Sequence, residues 1–564
     1  MKTSTLLKTA LVFILLSGKS SFADIAEHTL VLERLPINIT GKAINKLLIN
    51  NSLPGPVLEY TEGDEAIIHV TNKLDESSSL HWHGLLLPAN MDGVPGLAGF
   101  HGIAPGETHT FRFPIRQTGT YWYHAHSKGQ EQDGLYGAIV IKPHHNDPIE
   151  ADREYVVVLS DFHQDDSDEI IGNLKMSSEY YQYNRRTLAD LFNEIGAQGP
   201  GPALANAAMW GKMRMLSTDL SDVTGYTFLL NGQSPSRNWT GLFKAGERVR
   251  LRFINASAMT FFDVRIPGLK MTVVTADGQP VEPVQVDEFR FGVAETYDVI
   301  VTPEADKAYT LVAESTDRSG FALGTLAPRE GMAGPTPEPR PRPLLTMADM
   351  PHATETDPSA AATDHAAMGH VMPETTADYV TGVPGSGWMQ SGAPADATTL
   401  AYTDLRYLQT QTDTRTPERD IEIRLGGNME RYLWTLNGRK YSQDPAPINL
   451  RYGERVRLRF VNDTMMAHPM HLHGMFVQLE NGQPPDKLPN KHTIIIAPGD
   501  SYSVLLTADE PGEWAIHCHL LFHSMTGMMG KVVVAVAEDV NQPATVAPAM
   551  PGNETRQVEP QHVH

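Results

Sequence analysis

Four histidine pairs of the form H-x-H stand at His81/His83, His124/His126, His471/His473 and His517/His519, and the only cysteine of the 564-residue chain, Cys518, lies inside the last of them. His468 precedes and His523 and Met528 follow at short range. Thiolate, imidazole and thioether together are copper ligands, and two His, one Cys and a weak axial Met form the blue-copper set. In an extended strand residues i and i+2 share one face and i+1 takes the other. His517 and His519 therefore aim one way and Cys518 the opposite way. Four such pairs supply eight imidazoles, enough for several copper ions with open positions for dioxygen. Cys518 with His468, His523 and Met528 makes a separate, closed site suited to electron transfer. One tripeptide then serves two metal centres and links them covalently.

The elements that must position these residues come as a repeat. "YTEGDEAIIHVTN" (Tyr60–Asn72), "FKAGERVRLRFIN" (Phe243–Asn255) and "LRYGERVRLRFVN" (Leu450–Asn462) share a Gly-acid turn followed by alternation. Val249, Leu251 and Phe253 fall on one side and Arg250 and Arg252 on the other, the period of a half-buried strand. Nine and eleven residues after Asn72 come His81 and His83; the same steps after Asn462 reach His471 and His473, and after Asn255 they reach Val264 and Ile266. A second signature later in each unit carries His124/His126 and His517/His519 in the outer units and no histidine in the middle one. With 23 histidines in the chain, ~1 H-x-H is expected by chance, so four at equivalent places mark metal sites. Short strands bounded by turn residues predict an all-β chain of sandwich type, with one helix near Thr187–Ile195 inside a middle-unit insertion.

The first residues read as an export signal: Lys2 and Lys8, an apolar run from Ala10 to Leu16, then small residues at Ser21 and Ala23. The run is too short to span a bilayer. The net charge of −22 repels nucleic acid and attracts cations. The expected division is a signal peptide (1–23), a first unit (24–147), a ligand-free second unit (148–334), a flexible Met/His-containing linker (335–392), a third unit (393–540) and a tail (541–564). The linker is rich in Pro, Ala, Thr and acids. It carries Met347, Met350, His352, His365, Met368, His370 and Met372, whose thioethers suit Cu(I). His562–His564 pair outside the repeat and are read as adventitious.

The motifs "HWHG", "HAH", "HPMHLH" and "HCHLLFHSMTGM" resemble those of the multicopper oxidases, and the similarity extends over nearly the whole mature chain. Stretches such as "HWHGLLLPANMDGVPG" and "ETYDVIV" resemble the copper-resistance branch of that family. The resemblance implies three cupredoxin-like Greek-key β-sandwich domains and four copper ions, one type 1, one type 2 and two type 3. Carried over residue by residue, His468, Cys518 and His523 with axial Met528 hold type 1, and His81 and His471 hold type 2. His83, His124 and His519 hold one type 3 ion, and His126, His473 and His517 the other. The implied reaction couples four one-electron oxidations to reduction of O2 to two waters. Asp92, in "MDGVPG", matches an acid that assists proton delivery. Two features depart from the pattern: Ser524 stands where some members carry an acid after the ligand matching His523, and no twin arginine precedes the apolar run.

Three functions use such a chain: oxidation of Cu(I) to Cu(II) in the periplasm, laccase-like oxidation of phenols or aryl amines, and copper sequestration without turnover. The complete ligand set favours the first two, since storage needs no bridged centres. The protein is read as an exported monomer without a membrane span, using O2 and either Cu(I) or a small phenolic or aryl amine reductant. Methionines flank the type 1 motifs at Met465, Met466, Met470, Met475, Met525 and Met529. They are expected either to fill irregular core space or to line a route for Cu(I), which thioethers bind without deprotonation.

Overall fold

The computed structural model describes residues 24–183, 185–213, 215–350 and 387–536. Its sheets fall into three pairs along the chain. The first pair is two four-stranded sheets built from Ile25–Asn38 to Tyr136–Lys142. The second and third pairs each combine a six-stranded with a five-stranded sheet, over Arg153–Ala327 and Arg419–Ala535. In each pair a strand of the repeat (Glu65–Asn72, Val249–Asn255, Arg455–Asn462) lies between a parallel and an antiparallel neighbour. The predicted all-β sandwich is observed, and the three units are cupredoxin-like.

The asparagine that closes each repeat has one job in all three units. Asn72, Asn255 and Asn462 are buried. Each amide nitrogen donates to backbone carbonyls of the following loop and of a more distant segment. Each Oδ1 accepts the backbone N–H two residues on. An Asx turn of this kind, satisfied on all sides, fixes where the strand stops and where the ligand-bearing strand begins, which is why the nine-residue step to the histidines repeats.

Three expectations need correction. Val249–Asn255 is buried on both faces, not one. Its arginines turn inward to charges at a junction: Arg250 pairs with Asp298 at 2.6 Å, and Arg252 bonds Asp298 at 3.1 Å and Thr120 of the first unit at 3.0 Å. The insertion holds three helices where one was expected: Ser167–Met176, Leu188–Gln198 and Pro200–Met213. The first is capped by Asp166, which accepts from the Glu169 N–H, and the third opens on proline, whose missing N–H costs nothing there. The ends of the linker are packed, not loose. Asp349 accepts the N–H groups of Gly387 and Trp388, and Trp388 is buried with Arg290 over its ring. Met350 packs against the Trp210 cluster while Met347 is exposed; the signal segment, His352, His365, Met368, His370, Met372 and His562–His564 lie outside the described residues.

Candidate metal centres

One β-ladder sorts the ligands of both centres. Strand His468–Leu472 pairs antiparallel with Gly512–Cys518, placing Met470 opposite Cys518 and His471 opposite His517. His468 and Cys518 thus share one face, and His471 and His517 the other. In the first unit His81–His83 pairs with Gly119–His124, with His81 opposite His124. The glycine ending both "HWHG" and "HLHG" is required locally. Gly84 and Gly474 have φ of +80° and +72°, and a Cβ would come within 2.5 Å of His492 and 2.3 Å of Trp514.

On the Cys518 face, Sγ lies 3.5 Å from His468 Nδ1 and 3.8 Å from His523 Nδ1, and the two nitrogens are 3.2 Å apart. A triangle of these sides has a centre about 2 Å from each corner, the length of a metal–nitrogen bond. The outer nitrogens are engaged elsewhere: His468 Nε2 with Thr464 Oγ1 at 2.7 Å and His523 Nε2 with Asp222 Oδ2 at 2.7 Å. Those bonds fix the Nε2–H tautomers and leave Nδ1 lone pairs facing the sulfur. Burial pushes the thiol far above its usual range, so a bound cation must provide the compensation that makes it a thiolate. Met528 is buried beside it, its carbonyl accepting the Cys518 N–H at 3.1 Å.

On the opposite face the eight imidazoles of the four pairs converge. Their ligand atoms form the groups His81/His83/His471, His83/His124/His519 and His126/His473/His517, each within 4.8 Å. His126 Nε2 and His473 Nε2 lie 3.4 and 3.0 Å from His517 Nε2. The nitrogens His81 Nε2, His83 Nδ1, His124 Nε2, His471 Nε2 and His519 Nε2 are buried without any hydrogen-bond partner. So many orphaned lone pairs at one point are costly unless a cation takes them. Burial holds seven of the rings neutral, driving His83, His124, His126, His471, His473 and His519 well below the ordinary histidine range and His517 to about 4. Neutral imidazole is the form that binds metal. The residues therefore fit copper at both centres.

The outer shell contains the expected Asp92 and residues that sequence reasoning missed. Asp92 is buried; its Oδ2 accepts from His473 Nδ1 at 2.8 Å, its Oδ1 lies 3.2 Å from His81 Nδ1, and its carbonyl accepts from that nitrogen at 2.9 Å. Glu131 faces it from across the cluster, Oε2 being 2.6 Å from His124 Nδ1 and Oε1 4.0 Å from His519 Nδ1. His492 is a ninth imidazole, its Nδ1 3.2 Å from His83 Nε2 and its carbonyl accepting from His471 Nδ1 at 2.7 Å. The ligand-free middle unit braces that corner: Asp277 accepts the N–H groups of His492 and Thr493. Buried Lys491 bridges Asp277 and Glu295 at 3.0 and 2.9 Å. The middle unit also supplies Asp222 to His523. Of these residues only Glu295, in "ETYDVIV", falls within the repeat, and none belongs to an H-x-H pair, so no periodic signal marks the others; Glu131, five residues beyond His126 in "HAHSKGQEQDG", is the nearest to one.

The six flanking methionines part company. Met466, Met470 and Met475 lie in the main core, and Met529 packs with Val94, Leu97 and Ala515. Met465 instead joins Trp210, Leu220 and Leu345, with Met209, Met213, Met215 and Met350 packed around them. Met525 is half-buried and, with Ser524, lines a cavity of about 360 Å³ that reaches His124, His126, His517, His519 and Glu131.

The multicopper oxidase family profiles match residues 32–146, 153–328 and 414–538. The chain is 45% identical to copper resistance protein A of Escherichia coli and 47% identical to a copper resistance protein A homolog of Pseudomonas syringae pv. tomato, covering 90% of this chain and 92% of each relative. It is 32% identical to multicopper oxidase MmcO of Mycobacterium tuberculosis over 89% of this chain and 85% of that one. Among solved structures, the iron-import oxidase Fet3p superposes with a TM-score of 0.65 at 20% identity, covering 91% of this chain and 90% of that one. The laccase of Botrytis aclada gives 0.64 at 21%, covering 91% and 88%. These two share the fold. Taken with the full-length relatives, the matches show that this chain belongs to the multicopper oxidase family and is a copper-dependent oxidoreductase of its copper-resistance protein A branch.

Proposed function

We propose that the protein oxidises Cu(I) to Cu(II) in the periplasm, with O2 as the final acceptor, and that this is its part in copper resistance. His468, Cys518 and His523, with Met528, would hold the type 1 ion. His81 and His471 would hold type 2; His83, His124 and His519 would hold one type 3 ion, and His126, His473 and His517 the other. Four bound coppers would supply one-electron uptake at the thiolate pocket and four-electron reduction of O2 to two waters at the imidazole cluster. The export pattern of the first residues supports the location, and no described helix is long and apolar enough to cross a membrane.

The observation that favours Cu(I) over a phenol is what covers His523. Its ring is fully buried, stacked on Trp434 at 3.8 Å between centroids. Its outer nitrogen is closed by Asp222, which also accepts from Tyr432 Oη at 2.8 Å. A phenol cannot reach that edge without displacing these groups. Asp222 Oδ1 is buried without a partner. Leu220, two residues before it, belongs to the methionine-rich cluster around Trp210. Several thioethers suit a soft cation such as Cu(I), and the nearby carboxylate adds negative charge that attracts it. Laccase relatives at 25–29% identity keep phenol oxidation as the second reading.

Replacing Met213, Met215 and Met465 together by leucine nearly conserves volume and should cost under ~1.5 kcal/mol per site. The expected result is a Cu(I) oxidation rate reduced roughly tenfold, with oxidation of a small phenol changed less than about twofold, a gap of a little over 1 kcal/mol. Oxygen uptake with each reductant measures both. Equal losses would assign these methionines to packing.

Glu131 is assigned to positioning: it holds His124 with Nδ1 outward and Nε2 toward the cluster. Glu131→Ala should weaken copper binding at the cluster by roughly 10–100-fold, the usual effect of losing such a partner, while Glu131→Gln, which still offers an accepting oxygen, should retain most of it. Copper titration against a competing chelator reads the difference, and full affinity in both variants would remove the role.

A further inference from the structure

A second cavity, of about 450 Å³, opens beside the thiolate pocket and shares the wall of Tyr441, Ser524 and Met525 with the first. Its lining carries three cations, Lys175, Arg431 and Lys440, and no carboxylate. They come from three separate places: the last turn of helix Ser167–Met176, the turn Met429–Arg431, and the residue before the turn Tyr441–Gln443. None of the three side chains has an ion-pair partner among the described residues, where most other arginines are paired. The chain as a whole carries −22, so chance would place acids in such a lining. Unpaired like charges gathered in a concavity repel one another and are retained where an anion offsets them. The volume is that of a small-molecule site, too small for a macromolecular surface.

We propose that this cavity is a binding site for a small multivalent anion, held by Lys175, Arg431 and Lys440 with hydroxyl donors from Tyr441 and Ser524. Arg431 supplies the planar fork that recognises phosphate, sulfonate or carboxylate, and the rings of Tyr432 and Tyr441 give an organic anion a flat surface. The site is placed to be felt at the metal pocket. Tyr432 lies in its wall, its hydroxyl donates to Asp222 at 2.8 Å, and Asp222 takes His523 Nε2 at 2.7 Å. That second consequence rests on His523 being a copper ligand; the anion site itself does not.

The test is calorimetric titration of the full chain, copper-loaded and copper-free, with inorganic phosphate and with benzene-1,3-disulfonate, which does not chelate copper; neutral benzenesulfonamide is the control. The expected result is one saturable site per chain for at least one dianion and none for the neutral compound. Affinity should fall roughly tenfold or more between low and moderately high salt as the charges are screened. The double variant Arg431→Gln/Lys440→Gln should lose about tenfold or more, whereas Lys244→Gln, on an exposed turn elsewhere, should lose nothing. Tighter binding of phosphate than of the disulfonate would identify an inorganic occupant, and the reverse an organic one. No saturable binding of either dianion, or binding undiminished in the double variant, would overturn the proposal. In the copper-loaded protein the bound dianion should shift the visible absorption, and not in the double variant. Binding without that shift would count against the assignment of His523, not against the anion site.

Discussion

Cys518→Ser is expected to abolish the intense visible absorption and reduce oxidase turnover roughly a hundredfold or more with every reductant, while the imidazole cluster keeps its copper. The hydroxyl is a poor copper ligand, and its Oγ–H would stand buried against His468 and His523 with no thiolate to complete the trio. The eight imidazoles are on the opposite face of the ladder and are not touched by the change. On the proposed assignment, reducing equivalents collected at the sulfur would have their direct covalent connection to the cluster through His517 and His519, one peptide away on either side. Copper analysis, absorption and oxygen uptake on one sample check all parts; normal turnover with any substrate would sink the bridging role.

The second large effect is expected at Asp92. Its carboxylate spans two imidazoles of different units, His473 at 2.8 Å and His81 at 3.2 Å, and its backbone carbonyl holds His81 again. Asp92→Ala leaves His473 Nδ1–H buried and unpaired, a cost of about 1–3 kcal/mol, and frees both rings to turn. Copper affinity at the cluster should drop by roughly 10–100-fold and turnover should fall with it. Asp92→Asn keeps an oxygen for His473 and should load copper nearly normally. If it also turns over normally, Asp92 only orients; if it loads fully and turns over slowly, the carboxylate itself is needed in the reaction. Copper titration read beside oxygen uptake separates the two.

The three-unit architecture and the residues that converge at both centres were legible in the chain. The reason is that strand geometry is periodic. A step of two residues fixes which side chains share a face, so "HCH" alone separates Cys518 from His517 and His519. The Asx turn at Asn72, Asn255 and Asn462 reproduces the spacing to the next strand, so equivalent positions could be counted. Helices Ser167–Met176 and Pro200–Met213 escaped because the insertion repeats nothing and its apolar face is settled by the unit it covers.

What only the tertiary structure decided is every contact made between distant strands or across unit boundaries. Arg250 and Arg252 read as a solvated face, yet they are buried because Asp298, Glu154 and Thr120 meet them there. Asp222 reaches His523 from a residue 301 positions away, and His492 meets His83 across 409. Glu131 and Asp277 are single charged residues in turns, which by composition belong in water. Only the docking of the units removes that water and supplies imidazole, lysine or backbone N–H in its place. Local period determines which residues can point together, while the identity of a buried charge's partner depends on surfaces that no local pattern records.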